Sequence, residues 1–260
     1  MPRVAIVTDS TAYLPGTVPT GVRVVPLRVH LGARTLVDGV DVSLADVVRT
    51  LKSRTPVSTS RPSPAEFAEV FRSCLESGAD HVVSIHLAAA LSGTWESAVL
   101  AGQDFGHGVV RVVDSRGTAA GLGFAVAAAA AAAGAGASAA EVQQAATAVV
   151  DSTRTLFYVD TLEYLRRGGR IGTAAALLAT SLSVKPLLQM VEGHIVALEK
   201  VRTPTRALAR LVSLTAQAAA GGPVDIAVHH LAAPARAETV AAQLRTAVPT
   251  IGALYVAELG

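Results

Sequence analysis

The 260-residue sequence has little charge, few aromatic residues and a single cysteine. Aromatic residues make up 4% of the chain and charged residues 16%, so Ala, Val and Leu must build most of the core. A formal net charge of +2 is too small to indicate nucleic acid as a partner. Cys74 cannot form an intrachain disulfide and lies on the apolar side of a predicted helix, which favours an inert buried thiol in a reducing compartment.

The chain also lacks a typical secretory signal near its start. The apolar run from Val4 to Thr8 has only the length of a strand and ends at Asp9, which is too short for the apolar region of a leader. Export is therefore not expected, and the sequence predicts a cytoplasmic protein.

One charge-free stretch, between Arg116 and Glu141, is long enough to imitate a membrane span. It consists mostly of Ala, is interrupted by Gly134 and Gly136, and ends in Ser138 followed three residues later by Glu141, which is a capping-box signal. These features predict two helices joined by a glycine turn and no stable membrane insertion.

Several motifs of familiar enzymes are absent from the sequence. It has no phosphate-binding loop ending in Gly-Lys-Ser/Thr, no His-Glu-x-x-His and no Gly-x-Ser-x-Gly. The adjacent His229 and His230 lie in a predicted strand, where neighbours point to opposite faces, so one core and one surface histidine are expected rather than a metal site. We therefore expect no metal, no cofactor and no catalytic residue.

Short β-branched runs alternate with longer helical segments along the chain. The predicted strands are 4–8, 22–29, 81–86, 109–113, 155–159, 195–201, 225–230 and 253–257. The predicted helices are 64–75, 95–103, 119–133, 139–150 and 205–219. This alternation indicates an α/β fold with mainly parallel sheets. The pattern changes near residues 150–160, so we expect two lobes, 1–155 and 156–260, with a ligand cleft between them.

Two hydroxyl-rich turns each precede a predicted helix: Thr59-Ser60-Arg61-Pro62-Ser63 and Leu91-Ser92-Gly93-Thr94-Trp95. Hydroxyls beside free helix amides suit an anionic head group. The same hydroxyls are also what ordinary helix caps require, so the pattern leaves both interpretations open.

These turns belong to an ordered set of motifs that resembles the DegV family, whose characterised members resemble bacterial fatty-acid-binding proteins, including the FakB type that serves fatty acid kinase. The resemblance covers residues 4 to about 257. Its motifs are Val7-Thr8-Asp9-Ser10, Val37-Asp38-Gly39-Val40-Asp41, the two turns, Val113-Asp114-Ser115, Leu162-Glu163-Tyr164-Leu165-Arg166-Arg167-Gly168-Gly169-Arg170-Ile171, Ser183-Val184-Lys185-Pro186-Leu187-Leu188 and Lys200-Val201-Arg202.

The resemblance implies a two-lobed α/β protein that holds a long-chain fatty acid and hands its carboxyl group to a separate fatty acid kinase. The family's head-group residues correspond to Thr59 and Ser92, and Arg202 matches an arginine placed near the head group. The neighbours of the two hydroxyls, Ser60, Gly93 and Thr94, complete the expected ligand-binding set. The secondary candidates are Asp9, Ser10, Arg61, Arg170 and Lys185.

The sequence departs from the family pattern at two places. Arg61 stands where the family usually carries Gln, which places an extra cation near the first turn. Family members commonly continue into a last strand with a His-x-Gly-Pro-Gly element. This sequence ends at Gly260, so we expect that strand and its histidine, thought to assist phosphoryl handling, to be missing.

Two other functions remain open at this point. One is a hydrolase or transferase acting on an acyl or phosphate ester, with Ser92 as nucleophile, which needs a base within hydrogen-bond reach of Ser92. The other is a regulatory or scaffolding protein that senses a bound lipid. Two features also stay ambiguous: the 119–133 helix either lines an acyl tunnel or packs in the core, and the arginines at 166, 167 and 170 form either a solvated loop or a docking surface.

Overall fold

The computed structural model describes residues 3–13, 19, 21–53, 55–179 and 185–259. The chain divides into two compact units, Met1–Thr153 and Arg154–Gly260. The division falls two residues before the boundary predicted at 155.

The first unit contains two sheets. Its strands are β1 (Val4–Asp9), β2 (Val22–Val25), β3 (Arg28–Leu31), β4 (Arg34–Val37), β5 (Val57–Ser60), β6 (His81–His86) and β7 (Val110–Asp114). One sheet has the order β2-β1-β6-β7 and is parallel throughout. The other has the order β4-β3-β5 and is antiparallel. The parallel sheet confirms the predicted α/β class.

Helices cover both faces of the parallel sheet. They are α2 (Pro64–Glu76), α3 (Thr94–Gly102), α4 (Ala119–Gly134) and α5 (Ala139–Ser152), while α1 (Leu44–Lys52) precedes β5. Neighbouring strand residues point to opposite faces, so Ile6 joins a core cluster with α4 and α5, whereas Val7 joins a cluster with α2 and α3. The first unit is thus a three-layer arrangement with a core on each side of the sheet.

The charge-free stretch forms two helices, as predicted. Helix α4 ends at Gly134, Gly136 adopts a left-handed φ of +82°, and Ser138 caps α5 through a reciprocal capping box with Glu141. Leu122 and Val126 of α4 are fully buried in the core, which favours the packing interpretation for this face of the helix. Among the described residues, no helix is both long and apolar enough to cross a membrane.

The second unit also combines an antiparallel and a parallel sheet. Its elements are β8 (Leu156–Tyr158), α6 (Glu163–Arg167), a 3-10 helix (Gly172–Ala179), β9 (Lys185–Val191), β10 (His194–Val201), α7 (Pro204–Ala218), a second 3-10 helix (Ala219–Gly221), β11 (Val224–His230), α8 (Pro234–Ala247) and β12 (Ile251–Glu258). Strands β10-β9-β8 pair antiparallel, and β11 pairs parallel with β12. Apolar side chains of α7 and α8 pack with β11 in the third core cluster.

All eight predicted strands and all five predicted helices occur, with one change. The predicted strand 22–29 is two strands, β2 and β3, which belong to different sheets. The prediction missed β4, β5, β9, α1, α6 and α8, together with the 3-10 helices.

Candidate functional site

The first hydroxyl-rich turn is partly a strand. Thr59 and Ser60 are the last two residues of β5, where Thr59 pairs with Val29 and Ser60 with Arg28. The residue that caps α2 is Ser63, whose hydroxyl accepts from the Glu66 amide. The interpretation of Thr59 and Ser60 as caps of α2 is therefore wrong, and both side chains are exposed.

His30 connects Ser60 to the neighbouring strand. Its Nε2 lies 3.0 Å from Ser60 Oγ, and its Nδ1 lies 2.9 Å from Thr35 Oγ1. Because a neutral imidazole has one donor and one acceptor nitrogen, the two hydroxyls must adopt complementary roles. His30 therefore ties Ser60 to β4 across the antiparallel sheet.

The second turn ends at the start of α3. Gly93 is the N-cap residue, and no side chain caps this helix end, so Ser92 and Thr94 are not caps. Ser92 Oγ lies 2.9 Å from Thr94 Oγ1, and Thr94 is fully buried while Ser92 is half-buried. The Ser92 amide donates to the Ala88 carbonyl at 3.2 Å, which fixes the backbone of the turn.

Arg61 brings the two turns together within the first unit. Its guanidinium lies against the backbone of Gly93 so closely that a methyl group on the Gly93 Cα would stand 1.6 Å from Arg61 Nη1. The same nitrogen lies 3.5 Å from Glu96 Oε2, and both of these charged side chains are more than half exposed. The turn that carries Thr59 thus contacts the turn that carries Ser92 through one cation.

Asp9 is the last residue of β1 and is completely buried. Its Oδ2 accepts from the Leu87 amide and meets His86 Nδ1, both at 3.0 Å, while its Oδ1 accepts from the Thr11 amide and hydroxyl. His86 Nε2 in turn lies 2.6 Å from Ser84 Oγ. The Asp9 carboxylate is therefore occupied by protein groups that fix the chain leading from β6 to the Ser92 turn.

The contacts of Asp9 change its acidity. Burial alone would raise the pKa of this carboxyl, but the hydrogen bond and charge of His86, together with Thr11 and the Leu87 amide, lower the pKa below its usual value. Asp9 is thus held as a carboxylate.

Ser10 also makes its contacts within the protein. Its hydroxyl donates to Asp38 Oδ2 at 2.6 Å and accepts from the Leu27 amide at 3.0 Å. Ser10 and Asp38 belong to two different motifs of the resemblance, and this hydrogen bond brings those motifs into contact. Ser10 links the end of β1 to the segment that follows β2.

Three candidate cations belong to the second unit. Arg202 follows β10 and is exposed, and Arg170 is exposed with a guanidinium that donates to the Gly168 carbonyl at 2.5 Å. Lys185 is the first residue of β9, and its Nζ donates to the Asp160 carbonyl at 3.1 Å. The motif residues Ser183 and Val184 lie outside the described residues.

The arginine cluster carries its own acidic partner. Glu163 receives hydrogen bonds from Arg166 at 2.8 Å and Arg167 at 2.7 Å. These bonds lower the pKa of Glu163 to about 2. The carboxylate offsets part of the positive charge that the sequence places around Gly168.

Other residue types that carry enzyme chemistry show structural roles. Cys74 is buried, as predicted, and desolvation raises the pKa of its thiol, which disfavours the reactive thiolate. Within the described ranges, the hydrogen-bond partner of the Ser92 hydroxyl is Thr94 rather than a histidine. Among the same residues, no group of three His, Cys, Asp or Glu side chains is placed to hold a metal ion.

Sequence reasoning did not single out His30, His86 or Glu96 for this region. His86 ends a strand, as Asp9 does, and parallel strand ends share one edge of a sheet, so that pairing had a sequence signal. His30 and Glu96 had none, because the β3–β5 pairing and the Arg61 contact join segments far apart in the chain.

Comparisons with known proteins agree with the motifs. The chain matches the family described as "Uncharacterised protein, DegV family" over residues 3–260. A DegV domain-containing protein of Streptomyces coelicolor is 52% identical over 259 residues, which cover 99% of this chain and 92% of the relative.

Solved structures show the same fold. A Thermus thermophilus DegV family protein, described by its fatty acid binding, has a TM-score of 0.89 at 34% identity and covers 99% of this chain and 92% of its own. A fatty acid binding DegV family protein from Streptococcus agalactiae has a TM-score of 0.91 at 27% identity, with 100% and 93% covered. On its sequence and its fold, the chain belongs to the DegV family.

Proposed function

We propose that this protein is a carrier that binds a long-chain fatty acid and presents its carboxyl group to a separate fatty acid kinase. The observation that carries the proposal is the contact between Arg61 and Gly93, which makes neighbours of the two hydroxyl-bearing turns. The similar proteins of Thermus thermophilus and Streptococcus agalactiae are described as binding fatty acid, which supports the same ligand class here.

The head group requires several hydrogen-bond donors. A carboxylate removed from water without partners is strongly disfavoured, whereas charge-assisted hydrogen bonds stabilise it. Thr59 supplies a hydroxyl from the end of β5, Ser92 and Thr94 supply hydroxyls at the start of α3, and Gly93 lies between them. These four residues form the proposed head-group site, whereas Ser60 points to the opposite face of β5 and contacts His30, which corrects its place in the expected set.

The acyl tail supplies most of the affinity in this proposal. Each methylene removed from water contributes roughly 0.8 kcal/mol, so a long chain gains on the order of 10 kcal/mol before the entropy costs of binding. The hydrogen bonds to the head group then fix its position, and the tail supplies the larger share of the binding free energy.

Catalysis belongs to the partner in this proposal. The kinase transfers the γ-phosphoryl group of ATP to the carboxylate oxygen, which forms the acyl phosphate and leaves ADP. Arg202 is exposed, as a side chain that meets a phosphoryl group from a second protein must be. The similarity of the motif set to the FakB type supports this partner class.

The first experiment identifies what the purified protein holds. Protein prepared without added lipid is extracted with organic solvent, and the extract is analysed by mass spectrometry. A near-stoichiometric fatty acid is the expected result. Protein that comes without lipid and also refuses added fatty acid would overturn the proposal.

The kinase step has its own test. Oleate-loaded protein is incubated with a bacterial fatty acid kinase and ATP, and acyl phosphate and ADP are measured. We expect Arg202→Gln to lower turnover while oleate retention stays unchanged, and the exposed Arg206→Gln to act as a matched control. Equal turnover of the Arg202 variant and the wild type would remove Arg202 from the proposed transfer step.

A further inference from the structure

Arg61 occupies an unusual position between the two hydroxyl-bearing turns. Arg61 directly follows Ser60 in the first turn. Its guanidinium lies against Gly93, the residue between Ser92 and Thr94 in the second turn. One planar cation from the first turn therefore lies against the backbone of the second turn.

The charge of Arg61 is only weakly balanced within the described residues. Glu96 is its ion-pair partner at 3.5 Å, with 54% of the arginine side chain and 62% of the glutamate side chain exposed. Exposed pairs of this kind contribute little, so the arginine can exchange this partner for another carboxylate at small cost. A guanidinium is suited to such an exchange because its fork of donors matches the two oxygens of a carboxylate.

We propose that Arg61 determines head-group specificity by pairing with the ionised carboxylate of the bound fatty acid, a selection for charge beyond the hydroxyl contacts. The inference rests on the proposed fatty acid binding. In this proposal the hydroxyls bind any oxygen-bearing head group, and Arg61 distinguishes a charged head group from a neutral one.

Gly93 provides a second way to test the contact. Its φ of −71° suits any residue, so Ala is tolerated by the backbone, but the added methyl group would collide with the guanidinium. Because the colliding atoms lie at the flexible end of a side chain, the arginine moves away instead of the helix. Gly93→Ala should therefore remove the Arg61 contribution without removing Arg61.

The experiment compares two probes of nearly equal apolar length, oleate and oleyl alcohol, by competition against a fluorescent fatty acid on delipidated protein. We expect Arg61→Gln to weaken oleate binding about tenfold, which is the effect of losing one hydrogen-bonded charge. The affinity for oleyl alcohol should stay within about twofold of the wild-type value. Arg61→Lys keeps the charge but loses the planar fork of donors, so its affinity for oleate should lie between those of the wild type and Arg61→Gln.

The controls separate this inference from general damage. Gly93→Ala should reproduce the selective loss, and the Arg61→Gln/Gly93→Ala double variant should be no weaker than either single variant. Arg49→Gln removes another exposed arginine, paired with Asp46 on α1, and should leave both affinities unchanged.

Three outcomes would overturn the inference. Equal losses for oleate and the alcohol would mean that Arg61 acts only through packing, and unchanged oleate binding would mean that it does not meet the head group. Additive losses in the double variant would separate Gly93 from Arg61. Wild-type protein that binds neither probe would instead overturn the fatty acid proposal, and with it this inference.

Discussion

The hydroxyls of Thr59 and Ser92 differ in their surroundings. Thr59 is exposed at the end of β5, whereas Ser92 is half-buried and bonded to the buried hydroxyl of Thr94. The hydrogen of each hydroxyl can rotate toward a ligand, and each hydroxyl can then donate a hydrogen bond to a carboxylate. Removal of either hydroxyl leaves the strand or helix that carries it in place.

We expect the Thr59→Ala/Ser92→Ala double variant to bind oleate at least about tenfold more weakly than the wild type, because two donors to a carboxylate are lost. A lipid-exchange assay measures the affinity, and circular dichroism checks the fold. Ser53→Ala removes an exposed hydroxyl at the end of α1 and should leave binding unchanged. Wild-type retention in the double variant would count decisively against these head-group residues.

Asp9 is expected to contribute stability that depends on pH. Folding lowers its pKa, so the contribution is present at neutral pH, above the unfolded value of about 3.9, and is lost as the pH falls through the folded value. Asp9→Asn disrupts the buried pair with His86 and should reduce the free energy of unfolding by about 3 kcal/mol at pH 7.

Denaturant unfolding at pH 7 and at steps below pH 4 measures the difference in the free energy of unfolding between Asp9→Asn and the wild type. We expect this difference to narrow as the pH falls, because protonation removes the charge from the wild-type carboxyl. Asp104→Asn, at an exposed aspartate, serves as the control. A difference that stays constant through the acid range would contradict this role of Asp9.

The capping box of α5 allows a test of how the Ala-rich stretch becomes two helices. Ser138 and Glu141 bond reciprocally at the start of this helix, and the bonds lower the pKa of Glu141. Ser138→Ala should destabilise the protein by about 1 kcal/mol because it leaves the Glu141 amide, in the first turn of α5, without its capping partner. Thermal or denaturant unfolding gives the value.

Ser152→Ala is the matched control, since Ser152 lies at the other end of α5 and its hydroxyl donates to the Val149 carbonyl, outside the capping box. Equal losses for the two serine variants would show that the box has no particular role. The folded pKa of Glu141 is lowered, so its share of the box should be present at neutral pH and fade as the pH falls below about 4.

The elements that sequence reasoning missed differ in why they were missed. Helices α1 and α8 carried usable signals, since Ser43 and Asp46 form a capping box and Pro234 opens α8 before a run of regularly spaced apolar residues. Strand β9 was obscured by Pro186 at its second position, which argues against a strand. Better use of the same rules would have found the two helices.

Strand β5 could not be predicted from its own residues. Val57 to Ser60 is short, mostly exposed and rich in hydroxyls, so its composition is typical of a turn. It is a strand because β3 supplies a hydrogen-bonding partner from a distant part of the chain. This pairing also decides that Thr59 is presented from a strand end rather than from a helix cap.

The chain as a whole was easier to predict than its site. The α/β class and the family followed from the order of elements and motifs, and the match over residues 3–260 confirms the family. The contact of Arg61 with Gly93 required three-dimensional information, because the two residues are separated by a helix and a strand. Sequence motifs therefore identified the turns, and the fold of the first unit shows that they meet.

Bound fatty acid should stabilise the folded protein, because a ligand that binds only the folded state shifts the unfolding equilibrium by mass action. Oleate at one hundred times its dissociation constant would add about 2.7 kcal/mol, which for a chain of this size raises the melting temperature by roughly 5–10 °C. Differential scanning calorimetry of delipidated protein, with and without oleate, measures the shift. The Thr59→Ala/Ser92→Ala variant at the same oleate concentration should show a smaller rise in melting temperature. Its dissociation constant is larger, so the same concentration stabilises the folded state less. An equal rise in both proteins would mean that the acyl tail is held without these hydroxyls, and no rise in either would contradict fatty acid binding.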